Sequence, residues 1–196
     1  MAPLATTDHA ARVLLEVSAI AFATSEVYIR VRSAARREGD RVDRGSLGSV
    51  VAGITAGLLV AVWSSADLTS ARIPGGWVPF VVGLVLIWLG IVLRQWAVWT
   101  LGRFFTVVVR ITDDQTVVDR GPYRWVRHPS YTGLLMTLVG LGAALGNWLS
   151  VLALAVLPTI GLVVRIRVEE RALLESLGEP YRAYAEHRRR LLPGVW

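Results

Sequence analysis

Arg127-His128-Pro129-Ser130-Tyr131-Thr132-Gly133 stands where a long apolar run begins. Arginine and histidine sit at its mouth, proline takes the position at which a helix starts, and glycine follows one turn inside. Proline suits a first helical residue because the N–H it lacks has no partner there anyway. A helix opening into such a run is a membrane helix, and polar side chains are costly at that depth. The heptapeptide therefore marks the edge of a membrane helix that carries a site.

Downstream, the run covers residues 131–144 with its flanks, turns at Gly146-Asn147 and returns over 148–164, which predicts a helical hairpin. Upstream, residues 11–29, 47–66 and 77–99 form three more stretches near the roughly 17–25 apolar residues that a membrane helix needs. The first is the weakest because it holds Arg12, Glu16 and Glu26, and the fourth is short and glycine-rich. The first run has neither the basic start nor the small-residue cleavage site of a removable signal, so it is expected to stay as a mature helix. Across 196 residues, 54% are hydrophobic and 18% charged, with a mean hydropathy of +0.50. That is too apolar for an ordinary soluble domain. The expected fold is all-α: a polytopic membrane protein with about five transmembrane helices and a cytosolic C-terminal helical segment. We read residues 1–196 as one membrane domain, with three helices in 1–99 and the functional core in 100–196. No internal repeat or low-complexity tract is present.

All 21 basic residues are arginine, which we read as the codon bias of a GC-rich, bacterial genome. The net charge of +6 has no contiguous soluble basic domain to carry it, so nucleic acid is not an expected partner. The absence of cysteine excludes disulfides, thiolate catalysis and cysteine metal sites, and no metal is expected. Arginine placement sets orientation. Arg30, Arg32, Arg36, Arg37, Arg41 and Arg44 crowd the 30–46 linker, and Arg103, Arg110, Arg120, Arg124 and Arg127 the 100–129 linker. Seven more, from Arg165 to Arg190, follow the fifth span, whereas the opposite loops hold only Arg72. Positive loops stay cytoplasmic, so the N-terminus is expected outside a bacterial inner membrane and the C-terminus inside. Trp77, Trp96, Trp99 and Trp148 fall near span ends, as interfacial tryptophans do.

The chemically suggestive residues gather on that inner face. The 100–129 linker opens with an amphipathic piece at 101–111, turns at Thr112-Asp113-Asp114 and turns again at Gly121-Pro122. After residue 165, Val168, Leu173, Leu174 and Leu177 keep a helical rhythm, Gly178 and Pro180 break it, and 181–190 form another helix. Three polar groups stand out. At Arg127-His128-Pro129, the open N–H groups of a helix start attract an anion, Arg127 adds a fixed charge, and Gly133 leaves room for a ligand. The plainer alternative is a basic surface anchor; the whole heptapeptide favours a site. Arg165 and Glu169, four apart, are either an intrahelical ion pair in its less favourable order or an anion grip beside a carboxylate for a cationic ligand. That segment alone favours the ion pair. Tyr181 and Tyr184 share a helix face, either as an interfacial belt or as ligand contacts.

Together these pieces resemble the isoprenylcysteine carboxyl methyltransferase family, integral membrane enzymes that use S-adenosylmethionine. The likeness rests on Gly121-Pro122-Tyr123, Arg127 to Gly133, Arg165 with Glu169-Glu170, Gly178-Glu179-Pro180-Tyr181-Arg182-Ala183-Tyr184 and Leu192-Pro193-Gly194. Their order and spacing fit, over about residues 101–196. The resemblance implies cofactor contacts from His128, Tyr131, Gly133, Glu169, Glu170, Tyr181 and Tyr184, with S-adenosylhomocysteine as product. It implies that Arg165, and second Arg127, hold the acceptor's carboxylate. The acceptor is then a prenylated peptide or another lipid-tailed small molecule reached through the membrane lipids, with Gly140-Leu141-Gly142 allowing close helix packing beside it. No glycine-rich strand-to-helix fingerprint of the soluble methyltransferases is present. A carboxylate acceptor needs no general base, whereas an amine or thiol would call on Glu169 or His128. Two alternatives differ in class. An NADPH-dependent membrane reductase resembling sterol reductases is disfavoured by the adjacent carboxylates Glu169-Glu170. A non-catalytic scaffold or transporter is disfavoured because the polar residues gather at one boundary.

Overall fold

The computed structural model describes residues 4–34, 40–41, 43, 45–108, 110–111 and 116–192. Arg36, Arg37, Arg44, the Thr112-Asp113-Asp114 turn and Pro193-Gly194 lie outside the described residues. After a one-turn helix at Leu4–Thr7, helices α1 (His9–Ala34), α2 (Ser46–Asp67), α3 (Trp77–Leu101), α4 (Pro129–Ala144), α5 (Trp148–Leu177) and α6 (Glu179–Glu186) follow. The fold is all-α apart from a two-residue antiparallel pairing of Asp40–Arg41 with Arg110–Ile111.

Five helices lie where the five apolar stretches were expected, but three of them are long and apolar enough to cross a membrane: Ser46–Asp67, Trp77–Phe104 and Trp148–Leu177. Helix α1 is long, yet Arg12, Glu16 and Glu26 make it too polar. Helix α4 has 16 residues, roughly 24 Å at the α-helical rise, against a hydrocarbon core about 30 Å thick. Helix α5 does not stop near residue 164; it continues unbroken for 30 residues to Leu177, so its last turns project past the apolar run and carry Arg165 and Glu169. The amphipathic piece that opens the linker leaves the helical conformation after Leu101. It forms a 3-10 turn at Gly102–Phe104 and then leaves helix at Phe105, which is extended, because the backbone at Gly102 (φ +59) departs from the helical region.

Packing rests on glycine. Gly83 lies against the Gly140 carbonyl and Gly90 against that of Gly133, and each contact is reciprocated, so α3 and α4 run antiparallel with their backbones touching. Gly142 abuts Ser150 and Val151 in α5. Close packing at Gly140 and Gly142 thus seals these helices together. Helices α2 and α5 are antiparallel in the same way, with Gly161 against Ser49, Gly53 against Leu157 and Gly57 against Ala153. The expected hairpin turn is made by Gly146 (φ +67) and by fully buried Asn147. Asn147 accepts from the N–H groups of Leu149 and Ser150, capping α5. Its amide donates to the Ser64 and Leu68 carbonyls at the end of α2.

Helix α1 runs parallel to α3 and is held by polar side chains. Trp88 Nε1 donates to Ser18 Oγ (3.2 Å), Gln95 Nε2 to Ser25 Oγ (2.8 Å), and Arg94 forms a two-point ion pair with Glu26. Leu134, Leu138, Ala61 and Leu154 close the shared core. These directions bring the end of α1, the start of α2, the end of α3, the start of α4 and the end of α5 to one end of the bundle.

Candidate active site

At that end, Pro129 takes the first turn of α4, as its missing N–H favours. One helical turn then sets His128 and Tyr131 side by side, their rings stacked 5.5 Å apart at 12°. The final turns of α5 bring Arg165 and Glu169 opposite. Arg165 and Glu169 meet through Tyr131 rather than as an intrahelical ion pair. Arg165 Nε donates to the Tyr131 hydroxyl (2.8 Å), which donates to Glu169 Oε2 (2.7 Å). His128 Nδ1 lies 3.9 Å from the same Glu169 oxygen.

The adjacent glutamates do different work. Glu169 lines a hollow, shared with Tyr131, His128, Arg165, Tyr181 and Tyr184, that encloses about 1150 Å³ including its open mouth. Apolar walls come from Leu47, Val50, Leu134 and Leu173. Glu170, one residue on and about 100° around the helix, is buried behind His128 and does not line the hollow. It binds Arg127 Nη1 at 2.9 Å, His128 Nε2 at 3.2 Å and Arg190 Nε at 2.9 Å.

The C-terminal tail laces this motif. The Arg127 and His128 N–H groups donate to the carbonyls of Arg189 (2.8 Å) and Arg190 (2.9 Å). Thr132 Oγ1 donates to the carbonyl of Leu191 (2.7 Å). The two amides precede the helix start, and the tail reaches them because Arg189, after α6, forms an isolated parallel bridge with Val126. The expected 181–190 helix is accordingly shorter. Gly133 also needs correction: its missing side chain makes room for the Gly90 carbonyl and Arg94, not for a ligand.

Tyr181 and Tyr184 face inward rather than forming a surface belt. Tyr184 donates to the Tyr123 carbonyl (2.7 Å), and the Arg188–Asp119 ion pair (2.9 Å) ties the tail beside it. Burial pushes the Tyr181 phenol up, with Glu170 and Glu169 adding to the shift. Burial also raises Tyr184, with Asp119 adding, and raises Tyr123. Folded values above the unfolded value near 10 mean that this contribution to stability is complete below about pH 10 and is lost as pH rises further. A phenolate-absorbance titration in detergent should show these three ionising only as the tail detaches; their ionisation near pH 10 with the tail still in place would contradict it.

Four contributors were not singled out from the sequence. Asp43, in the loop before α2, accepts from Arg165 Nη1 (3.0 Å). Ser46 Oγ accepts from the same nitrogen (3.2 Å), and the Val107 carbonyl accepts from Arg165 Nη2. On the opposite wall, Arg94 Nη1 donates to Ser130 Oγ (2.9 Å) and carbonyl (3.1 Å), fastening α3 to the motif. Opposite charges at matching depth in two apolar stretches, Glu26 and Arg94, were the readable signal for that pair. Asp43 carried none.

The donor set suits a ligand such as S-adenosylmethionine. The Glu169 carboxylate, partly exposed to the hollow, fits a cationic or hydroxylated group, while stacked rings and apolar walls fit flat and aliphatic parts. Arg127 Nε is buried with no hydrogen-bond partner among the described residues, a donor left for a carboxylate.

Comparison with known proteins bears on the same segment. The model of the isoprenylcysteine carboxyl methyltransferase (ICMT) family matches residues 81–175. A rice protein (Oryza sativa subsp. indica) named "Probable protein-S-isoprenylcysteine O-methyltransferase" is 39% identical over 112 residues, 56% of this chain and 59% of its own. "Protein-S-isoprenylcysteine O-methyltransferase B" of Arabidopsis thaliana is 39% identical over 106 residues, 53% of this chain and 54% of its own. A solved structure described as the eukaryotic intramembrane Ras methyltransferase ICMT superposes with a TM-score of 0.60 at 27% identity, covering 73% of this chain and 51% of that one. The chain thus spans little more than half the length of the relatives it matches. Its long apolar helices and intramembrane neighbour make it an integral membrane protein, and residues 81–175, a little under half of the chain, are similar in sequence and fold to the isoprenylcysteine carboxyl methyltransferase family.

Proposed function

We propose that this chain transfers the methyl group of S-adenosylmethionine to the carboxylate of an isoprenoid-tailed acceptor, a prenylcysteine or a related lipid acid. The observation that carries this reading is the meeting of His128, Tyr131 and Glu169 with Arg165 in one hollow, within a segment whose named relatives are O-methyltransferases. Those names favour methyl transfer over a reductase or a scaffold. When bound, S-adenosylmethionine supplies a methyl carbon activated by its sulfonium, so the acceptor oxygen can form its bond as the carbon–sulfur bond breaks, with no proton to move. The protein's task is then placement, which can lower a barrier by ~7–11 kcal/mol.

Glu169 attracts the cationic part of the donor, and His128, Tyr131, Tyr181 and Tyr184 shape its bed. Arg127 Nε holds a carboxylate, and Glu170 acts one layer back by fixing His128 and Arg127. Arg165 orients the acceptor. The apolar wall of Leu47, Val50 and Leu134 takes the start of the lipid tail and keeps water from the reacting atoms. Arg30, Arg32, Arg103, Arg120 and Arg124 stand at the site end and Arg12 and Arg72 at the other, an excess that favours a site facing the cytoplasm with the N-terminus outside. We read the arginine-only basic set as favouring a bacterial inner membrane, although the relatives named above are plant proteins.

The test is detergent-purified protein, methyl-labelled donor and a farnesylated cysteine acceptor: base-labile label should enter the lipid product. Failure to label any isoprenoid acid, with S-adenosylhomocysteine still bound, would overturn the reading. Glu169→Gln should weaken S-adenosylhomocysteine by ~10-fold or more, the scale of one hydrogen bond to a charged group. Unchanged affinity by isothermal titration would remove Glu169 from the donor site.

A further inference from the structure

Arg165 is the residue assigned above to the acceptor, yet its guanidinium is already engaged. Its Nε serves Tyr131, Nη1 serves both Asp43 and Ser46, and Nη2 serves the Val107 carbonyl. A guanidinium has five N–H donors, so among the described residues a single N–H of Nη2 remains for anything entering the hollow. Asp43 is fully buried, receives a further hydrogen bond from Ser46 Oγ, and neutralises the charge of Arg165 at 3.0 Å.

We infer that Asp43 is a positioning residue that restricts Arg165 to a one-point hold on the acceptor carboxylate. This rests on the methyl-transfer reading, and it adds a residue outside the matched 81–175 segment to the site. An unrestrained arginine would grip a carboxylate with two parallel N–H groups. Such a clamp stabilises the acceptor before reaction and withdraws charge from the attacking oxygen, which lowers turnover while tightening binding. With Nη1 tethered, the acceptor is aligned and its second oxygen stays unencumbered. Asp43 and Ser46 lie in the loop before α2 and at its first residue, so the N-terminal part of the chain tunes chemistry whose motif lies a hundred residues away.

The test compares wild type with Asp43→Asn and Asp43→Glu in detergent at pH 7. Two readouts are needed: binding of S-farnesylthioacetic acid against its methyl ester, which does not depend on turnover, and steady-state methylation of a farnesylated cysteine. In Asp43→Asn the acid should bind about tenfold tighter relative to the ester, as one added charge-assisted hydrogen bond provides, with KM for the acceptor and kcat both falling. Asp43→Glu should restore the wild-type pattern, and S-adenosylhomocysteine affinity should not move. In an Arg165→Gln background the Asp43→Asn effect should vanish. If Asp43→Asn does not fold, Ser46→Ala loosens the same tether and should shift the acid-to-ester ratio in the same direction. An unchanged or reduced preference for the acid in folded variants overturns the inference while leaving wild-type methylation to support the function. Tighter acid binding without any wild-type methylation does the reverse.

Discussion

Glu170→Ala should destabilise the protein by ~3–5 kcal/mol, the penalty for removing one partner of a buried charge cluster. Arg127, His128 and Arg190 all converge on this carboxylate, and each lies beside a backbone contact that laces the tail to α4. Loss of the carboxylate leaves Arg127 buried without its counter-charge, so the tail strand should come away with it. Two signs should appear together: a lower unfolding midpoint in detergent, and rapid tryptic cleavage among Arg188, Arg189 and Arg190. Glu170→Gln keeps the shape and should fall between. Unaltered protection of those arginines in Glu170→Ala would show that the tail is held by something other than this cluster. Donor affinity should drop as well, but as a consequence of a displaced His128 rather than of a lost direct contact.

The second large effect is expected at Gly133. Leucine there places a Cβ about 2.6 Å from the Gly90 carbonyl and 2.8 Å from the Arg94 N–H, both rigid backbone. Overpacking of that kind costs about 3 kcal/mol or more, because α3 and α4 must separate along their length, and Gly83 and Gly140 lose their contact too. The folded protein should be recovered poorly, and added S-adenosylhomocysteine should not rescue it. A stably folded Gly133→Leu that merely fails to bind the donor would instead restore this glycine to the binding surface. Gly90→Leu, on the facing helix and outside the motif in sequence, should behave alike.

What the sequence disclosed follows from which forces are local. Apolar runs and the turn at Gly146-Asn147 are short-range signals, and helices appear where they were expected. Proline before Ser130 placed the start of α4 to the residue. Helix ends governed by a continuing rhythm were harder: nothing in 148–177 marks residue 164 as a stop, and Gly178 is the first residue whose conformation breaks the helix. At the site, His128, Tyr131, Arg165 and Glu169 come together as their motif implied. The roles that went unread depend on long-range partners. Whether Gly133 serves a ligand or a neighbouring helix is decided by Gly90, and whether Glu170 lines the hollow is decided by which way α5 is rotated. Asp43 is an acidic residue with no pattern around it, and only the fold shows the arginine it meets; Glu26 could be matched to Arg94 by its depth in an apolar stretch, and the fold pairs them.

Those two acids lead to a last point about modularity. Arg94 and Arg165 both belong to the segment that matches the family model, while Glu26 and Asp43, which offset them, come from the N-terminal part before it. A fragment trimmed to residues 81–175 would keep Arg127 to Gly133, Arg165 and Glu169-Glu170 but carry two cations stripped of their counter-ions, a state the hydrocarbon layer expels. The N-terminal part therefore supplies an anion opposite each of these arginines, and the matched segment depends on it for charge balance.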